Sequence, residues 1–196
     1  MHADSASTAY EERSQAFLKA RDASEIGSGV VARWSRCLER GAAGIELACG
    51  AGHPITRTLD RAGFKLWAVD SSPSLLSVFK ERFAHIPAQC CKVQDFDFYG
   101  RRFDFAVAVG LVFLLPENEQ KQLVSRMAAA LIPGGRCLIS APLEAGIWRD
   151  RITGVECHSL GQARYRQLFL KSGYRVLATH EDSGQSNYFD LQLTSD

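Results

Sequence analysis

No stretch of this 196-residue chain approaches the roughly 18 apolar residues that a membrane-spanning helix requires. The opening MHADSASTAYEER likewise holds no apolar core of the kind a secretory signal carries. The chain also lacks an excess of charge of either sign. Its 23 basic and 22 acidic residues leave a formal net charge of +1, which argues against a strong electrostatic pull toward nucleic acid or an anionic membrane. The adjacent Arg101 and Arg102 read as a solvated turn. Cysteine is present but never paired by spacing. Cys37, Cys49, Cys90, Cys91, Cys137 and Cys157 include no C-x-x-C and no metal-ligand pattern, so no metal site is expected. Most of them sit in apolar runs, where a free thiol behaves as a small hydrophobe, and the expected compartment is a reducing cytosol.

With 46% hydrophobic and 23% charged residues, the chain fits one domain over residues 1–196. The segment before about Ser7 reads as a loose tail. Helical spacing is seen over Thr8 to Ala20 and over Ser24 to Leu38, so residues 1–40 are expected to form a helical lid. From residue 43 onward apolar runs alternate with amphipathic stretches. GIELACGAG, LWAVD, QCCKVQD, FDFAVAVG and RCLISAP are strand candidates. His53 to Ala62, Pro73 to Ala84 and Glu117 to Leu131 are helix candidates. Ser71 or Ser72 is placed to cap the second of these, with Pro73 in its first turn. Such alternation predicts a mainly parallel sheet covered by helices on both faces, an α/β doubly wound fold. After Pro142 a loop is expected to carry Trp148 and Arg149. A helix over Arg164 to Ser172 follows, and then a hairpin over Tyr174 to Leu193.

The most informative segment is Ile45-Glu46-Leu47-Ala48-Cys49-Gly50-Ala51-Gly52, a strand running into a turn of small residues and then a helix. Small residues let the backbone approach a ligand closely, and free N–H groups at the helix start favour polar or anionic groups. A dinucleotide site uses the same device but wants G-x-G-x-x-G; here the position of the third glycine is Ile55. Asp70 ends the next strand, about 20 residues on, where a carboxylate accepts hydrogen bonds from a ribose diol. Asp70 as a simple cap of the helix at Pro73 is the competing reading.

The Glu46–Gly52 segment resembles the first motif of the class I S-adenosylmethionine-dependent methyltransferases, an acid followed by G-x-G-x-G, with Ala48 in place of the first glycine. Four further segments resemble that family in order: Asp70; Val93-Gln94-Asp95-Phe96; Phe103 to Gly110; and Leu131-Ile132-Pro133-Gly134-Gly135. The resemblance covers roughly Ala43 to Pro142. It implies a seven-stranded Rossmann-like core with an antiparallel last strand, supplied by the terminal hairpin. It also implies S-adenosyl-L-methionine as cofactor, held by Glu46, Ala48, Cys49, Gly50, Gly52, Asp70, Ser71, Asp95, Phe96 and Gly110. Asp95 would receive the adenine amino group, with Asp97 as the competing acid, and Gly110 would lie beneath the methionine part.

Acceptor-side candidates are Tyr10 and Arg13 on the N-terminal helix, His53 after the glycine turn, and Trp148, Arg149 and His158 after the fifth strand. His158 matches a histidine that a bacterial subgroup of the family tends to carry, and is the expected base or substrate contact. The Asn/Asp-Pro-Pro-Tyr motif of amino methyltransferases acting on adenine or glutamine is missing, as is a Pro-Cys pair, so the expected acceptor is a small molecule rather than nucleic acid. A non-catalytic adenosylmethionine-binding scaffold is the alternative from another class. A nicotinamide-dependent oxidoreductase is disfavoured by the missing third glycine.

Overall fold

The computed structural model describes residues 2–194; Met1, Ser195 and Asp196, which belong to the expected single domain, lie outside the described residues. The chain begins with two helices, α1 (His2–Glu12) and α2 (Ser14–Asp22), followed by α3 (Ser28–Ser35). Two expectations are corrected here. The opening is helical from His2, not a loose tail before Ser7. The single helix expected over Thr8 to Ala20 is broken at Arg13, whose φ of −107° and ψ of 14° depart from helical values.

The core then alternates as expected: β1 (Ala43–Leu47), α4 (Ile55–Arg61), β2 (Lys65–Asp70), α5 (Pro73–Arg82), β3 (Ala88–Cys90), β4 (Phe103–Ala108), α6 (Glu117–Ala129) and β5 (Leu131–Ser140). A small two-stranded hairpin follows, β6 (Ala145–Arg149) with β7 (Glu156–Leu160), where the sequence suggested only a loop. α7 (Gln162–Lys171), β8 (Tyr174–Glu181) and β9 (Asn187–Leu193) close the chain. The main sheet has seven strands in the order β3-β2-β1-β4-β5-β9-β8. β1, β2, β3, β4 and β5 are parallel, and β9 enters antiparallel between β5 and β8.

Side-chain alternation along the central strands divides the core between the two faces of this sheet. On β4, Phe105 and Val107 pack with Val31, Trp34, Leu59 and Phe79 of α3, α4 and α5. Ala106 and Ala108 face the opposite layer, with Leu123 and Met127 of α6 and Phe169 of α7. This doubly wound arrangement puts the carboxyl ends of β1, β2 and β4 side by side, the place where open parallel sheets bind ligands. Gly44 marks how closely the strands pack: a Cβ there would lie 2.0 Å from the Phe105 ring.

Candidate active site

β1 ends at Leu47 and the chain turns at once. Ala48 and Gly50 both hold left-handed conformations, with φ of 57° and 56°. Glycine adopts these freely, whereas alanine at Ala48 carries a strain of about 1–2 kcal/mol. This strain is the consequence of alanine standing where the resembling motif has glycine. Gly50 lines a cavity at the sheet edge, and a Cβ on it would point into space bounded by Phe17, 3.5 Å away. Gly52 does different work. Its Cβ would come within 2.3 Å of the Phe83 ring, so it permits α5 to approach the turn, and it does not line the cavity.

Asp70 organises this corner. One carboxylate oxygen accepts the Gly50 N–H at 2.7 Å and the other accepts the Ser72 N–H at 2.8 Å. Burial pushes its pKa up, against the lowering effect of the N–H groups of Ser72, Gly50 and Ser71. Asp70 thus braces the start of α5 and also stands on the cavity wall beside Ser71. The side-chain cap of α5 is Ser72, whose hydroxyl accepts the Leu75 N–H at 3.2 Å.

Glu46 is buried on β1 and accepts the Thr56 hydroxyl at 2.6 Å. Burial pushes its pKa up to about 8, with Thr56 and the Arg21 charge opposing. The folded protein thus holds a proton that the unfolded chain releases above its ordinary value of 4.5. The stability contributed by this proton is complete below that value and is lost as pH rises toward about 8. Thermal melting across this window should show stability falling with pH, and Glu46→Gln, neutral throughout, should flatten that slope. Parallel profiles for parent and variant would show that Glu46 is ionised in the folded state.

The far walls come from three other segments. Lys92, Val93 and Gln94 line the cavity after β3. Asp95 and Phe96 stand outside it: Asp95 is exposed, and Phe96 is buried against Phe98 and Tyr99. Gly110, at the end of β4, lines the cavity with φ of 75° and donates its N–H to the Ser140 hydroxyl at 2.7 Å. A Cβ at Gly110 would meet nothing within 4 Å. Cys49 and Ala48 also line the cavity, and burial holds the Cys49 thiol well above its usual range.

α1 and α2 form the roof, contributing Ser7, Tyr10, Phe17, Leu18 and Arg21. Glu11 ties α1 to the start of α5 by accepting from the hydroxyls of Ser72 and Ser74 and from the Ser74 N–H. Asp22 makes a two-bond pair with Arg82, and Glu25 pairs with Arg57. Arg21 was absent from the sequence-derived candidates. It lies one turn beyond Phe17 and Leu18 on the same helix, which is its only sequence signal. Burial lowers its pKa, opposed by Tyr188, Glu46, Asp182 and Tyr10, and no ion pair engages it among the described residues.

Of the acceptor-side candidates, Tyr10 and His53 line the cavity, whereas Arg13, Trp148, Arg149 and His158 do not. Burial lowers the His53 pKa, which leaves a neutral imidazole at neutral pH. Trp148 packs against Phe113 of the wall, with ring centroids 5.5 Å apart and the planes tilted by 40°. Arg149 donates to the Gly154 carbonyl at 3.2 Å. His158 lies on β7 with its ring nitrogen 3.1 Å from Glu156, and its backbone carbonyl accepts from Gln120. Instead, the hairpin sends Asp150 to the cavity. Among the described residues, no group of three or more His, Cys, Asp or Glu side chains is arranged to hold a metal.

A family model described as a methyltransferase domain matches residues 45–135. No curated protein sequence matches the chain. Solved structures similar in fold include the glycopeptide N-methyltransferase MtfA, at 18% identity and a TM-score of 0.70, covering 84% of this chain and 95% of that one. Magnesium protoporphyrin IX methyltransferase from Synechocystis PCC 6803, solved with bound SAM, is similar at 15% identity and a TM-score of 0.67, with 85% and 77% covered. An amino pentose methyltransferase from Micromonospora echinaspora, involved in calicheamicin biosynthesis, is similar at 17% identity and a TM-score of 0.67, with 85% and 89% covered. Residues 45–135 thus match a methyltransferase domain, and the seven-stranded sheet with its inserted antiparallel strand gives the chain the Rossmann-like fold of the class I S-adenosylmethionine-dependent methyltransferases.

Proposed function

We propose that the protein transfers the methyl group of S-adenosyl-L-methionine to a nitrogen or oxygen atom of a small molecule, leaving S-adenosyl-L-homocysteine. The observation that carries this reading is a single roofed cavity. Its walls join the Asp70–Gly50 corner to an apolar region around Tyr10, Phe113 and Leu114. The donors present fit the cofactor. Asp70 offers a carboxylate to a ribose diol, the open space over Gly110 admits a ligand, and Arg21 offers a guanidinium to a carboxylate. Lys92, Val93 and Gln94 take the place on the base-binding side that the sequence assigned to Asp95 and Phe96.

The cofactor brings a methyl group already activated on a sulfonium, so the protein's contribution is alignment, closeness and exclusion of water. α1 and α2 provide the exclusion. Phe17, Leu18 and Tyr10 cover the cavity, and the Glu11, Asp22 and Glu25 contacts fasten them to α5 and α4. The names of the similar structures, which act on a glycopeptide, a porphyrin and an amino pentose, support a small-molecule acceptor. The six cysteines are all free thiols, in keeping with a reducing compartment. No helix among the described residues is long and apolar enough to cross a membrane.

The test is to incubate the protein with S-adenosylmethionine and pools of small amines, phenols and carboxylic acids. The expected result is adenosylhomocysteine formed in step with a product one methyl heavier. Cofactor that binds and remains unconsumed with every pool would favour a binding role instead. With a substrate in hand, deletion of residues 1–20 should leave a folded protein that still binds cofactor, more weakly because Arg21 loses its helix, with turnover at saturating cofactor reduced by about a hundredfold as the acceptor loses its roof. Turnover at the parent's rate would remove the lid from the account.

A further inference from the structure

Resting on the methyl-transfer reading above, we propose that the acceptor is an amine on a compact apolar or aromatic body, and that the Asp150 carboxylate receives its nitrogen. Four carboxylates stand on the cavity wall: Asp22, Glu46, Asp70 and Asp150. Asp22 is occupied by Arg82 through both oxygens, and Asp70 by the N–H groups of Gly50 and Ser72. Glu46 lies buried on β1 and, with its pKa near 8, is neutral at neutral pH.

Asp150 differs from all three. It begins the turn between β6 and β7, and the turn engages one of its oxygens only. Oδ1 accepts from the N–H of Ile152 at 3.0 Å, the N–H of Thr153 at 2.7 Å and the hydroxyl of Thr153 at 2.7 Å. Oδ2 has no hydrogen-bond or ion-pair partner among the described residues, although Asp150 is half-buried on the cavity wall. Its charge is felt by Tyr10, whose phenol is pushed up chiefly by burial and next by Asp150. The Tyr10 hydroxyl also has no hydrogen-bond partner among the described residues. Two polar groups without a hydrogen-bond partner among the described residues therefore share the cavity with the apolar side chains of Phe113 and Leu114, and Trp148 packs at a tilt against Phe113.

The electrostatics select the acceptor. A carboxylate at the edge of an apolar wall repels a carboxylate or phenolate and attracts an amine or ammonium. During transfer the amine lone pair forms the new N–C bond while the S–C bond breaks and its electron pair goes to sulfur. The positive charge moves from sulfur to nitrogen, where Asp150 faces it. The extra N–H proton then passes to Asp150 and on to solvent. A fixed negative group beside the atom that gains positive charge is an arrangement that lowers the barrier.

The test uses the full chain loaded with adenosylhomocysteine and three probes of one shape: phenethylamine, phenethyl alcohol and hydrocinnamate. Calorimetry should show the amine binding at least about tenfold more tightly than the other two, the scale of a hydrogen bond to a charged group. Asp150→Asn retains an oxygen for the turn while removing the charge. It should erase the preference for the amine and leave adenosylhomocysteine affinity and melting temperature unchanged. Equal binding of the three probes, no binding of the amine, or an amine preference that survives in Asp150→Asn overturns the assignment. Failure to bind adenosylhomocysteine contradicts the methyl-transfer reading itself, and the amine inference falls with it. That failure is recognised before any probe is added.

Discussion

Asp70→Ala is expected to bind adenosylhomocysteine about ten- to a hundredfold more weakly than the parent protein, measured well below either melting temperature. Two losses combine. The ribose diol of the proposed cofactor loses its charged acceptor, and the Gly50 N–H loses the bond that fixes its turn. The Ser72 N–H is orphaned in the same step, in a residue that is fully buried. Each unsatisfied buried donor costs about 1–3 kcal/mol, so the melting temperature should fall as well. Affinity and stability are read separately by titration and by thermal melting. A variant that is destabilised yet binds adenosylhomocysteine as the parent does would show that Asp70 braces α5 and does nothing for the ligand.

Gly52→Ala should produce the opposite pattern, with stability as the primary loss. The position holds φ of 85°, where a Cβ is strained, and that Cβ would sit 2.3 Å and 2.9 Å from atoms of the Phe83 ring. The ring has little room to yield because it packs on Phe79 with centroids 5.1 Å apart. Strain of about 1–2 kcal/mol and overpacking of about 1–3 kcal/mol combine to a destabilisation of roughly 2–5 kcal/mol. For a chain of this length each kcal/mol lowers Tm by about 2–4 °C. Gly52 does not line the cavity, so whatever fraction remains folded should bind cofactor with affinity close to the parent's. An unchanged Tm together with lost binding would return Gly52 to the cofactor site that the sequence assigned it.

These two residues also show why part of the cavity wall was legible in the sequence and part was not. Strand-turn-helix punctuation is local, so GIELACGAG and LWAVD announce both the elements and the ligand edge without any tertiary information. Which glycine touches ligand and which admits a helix is decided by Phe83, 31 positions away, and no local pattern carries that. The same limit applies to Asp95 and Phe96. β3 ends early, at Cys90, and the following turn brings Lys92 to Gln94 to the cavity while Phe96 fills the core.

The acceptor side was harder for a physical reason. Ala145–Arg149 shows no alternation of apolar and polar residues, because all five of its residues are exposed, so a strand there reads as a loop. Its pairing with β7 places Ile147 opposite His158 and Trp148 opposite Cys157, on a hairpin whose turn, rather than its strands, reaches the cavity. Asp150 and Arg21 are therefore visible only once the hairpin and the roof helices are folded over the sheet.

The most direct measurement of the central claim is a calorimetric titration of the full chain with S-adenosylmethionine, adenosylhomocysteine and NADH in separate experiments. Both adenosyl ligands are expected to bind saturably at one site per chain, with binding lost or strongly weakened in Asp70→Ala, and NADH is expected not to bind. Absence of heat with either adenosyl ligand at millimolar concentration, with NADH binding in their place, would contradict the central claim.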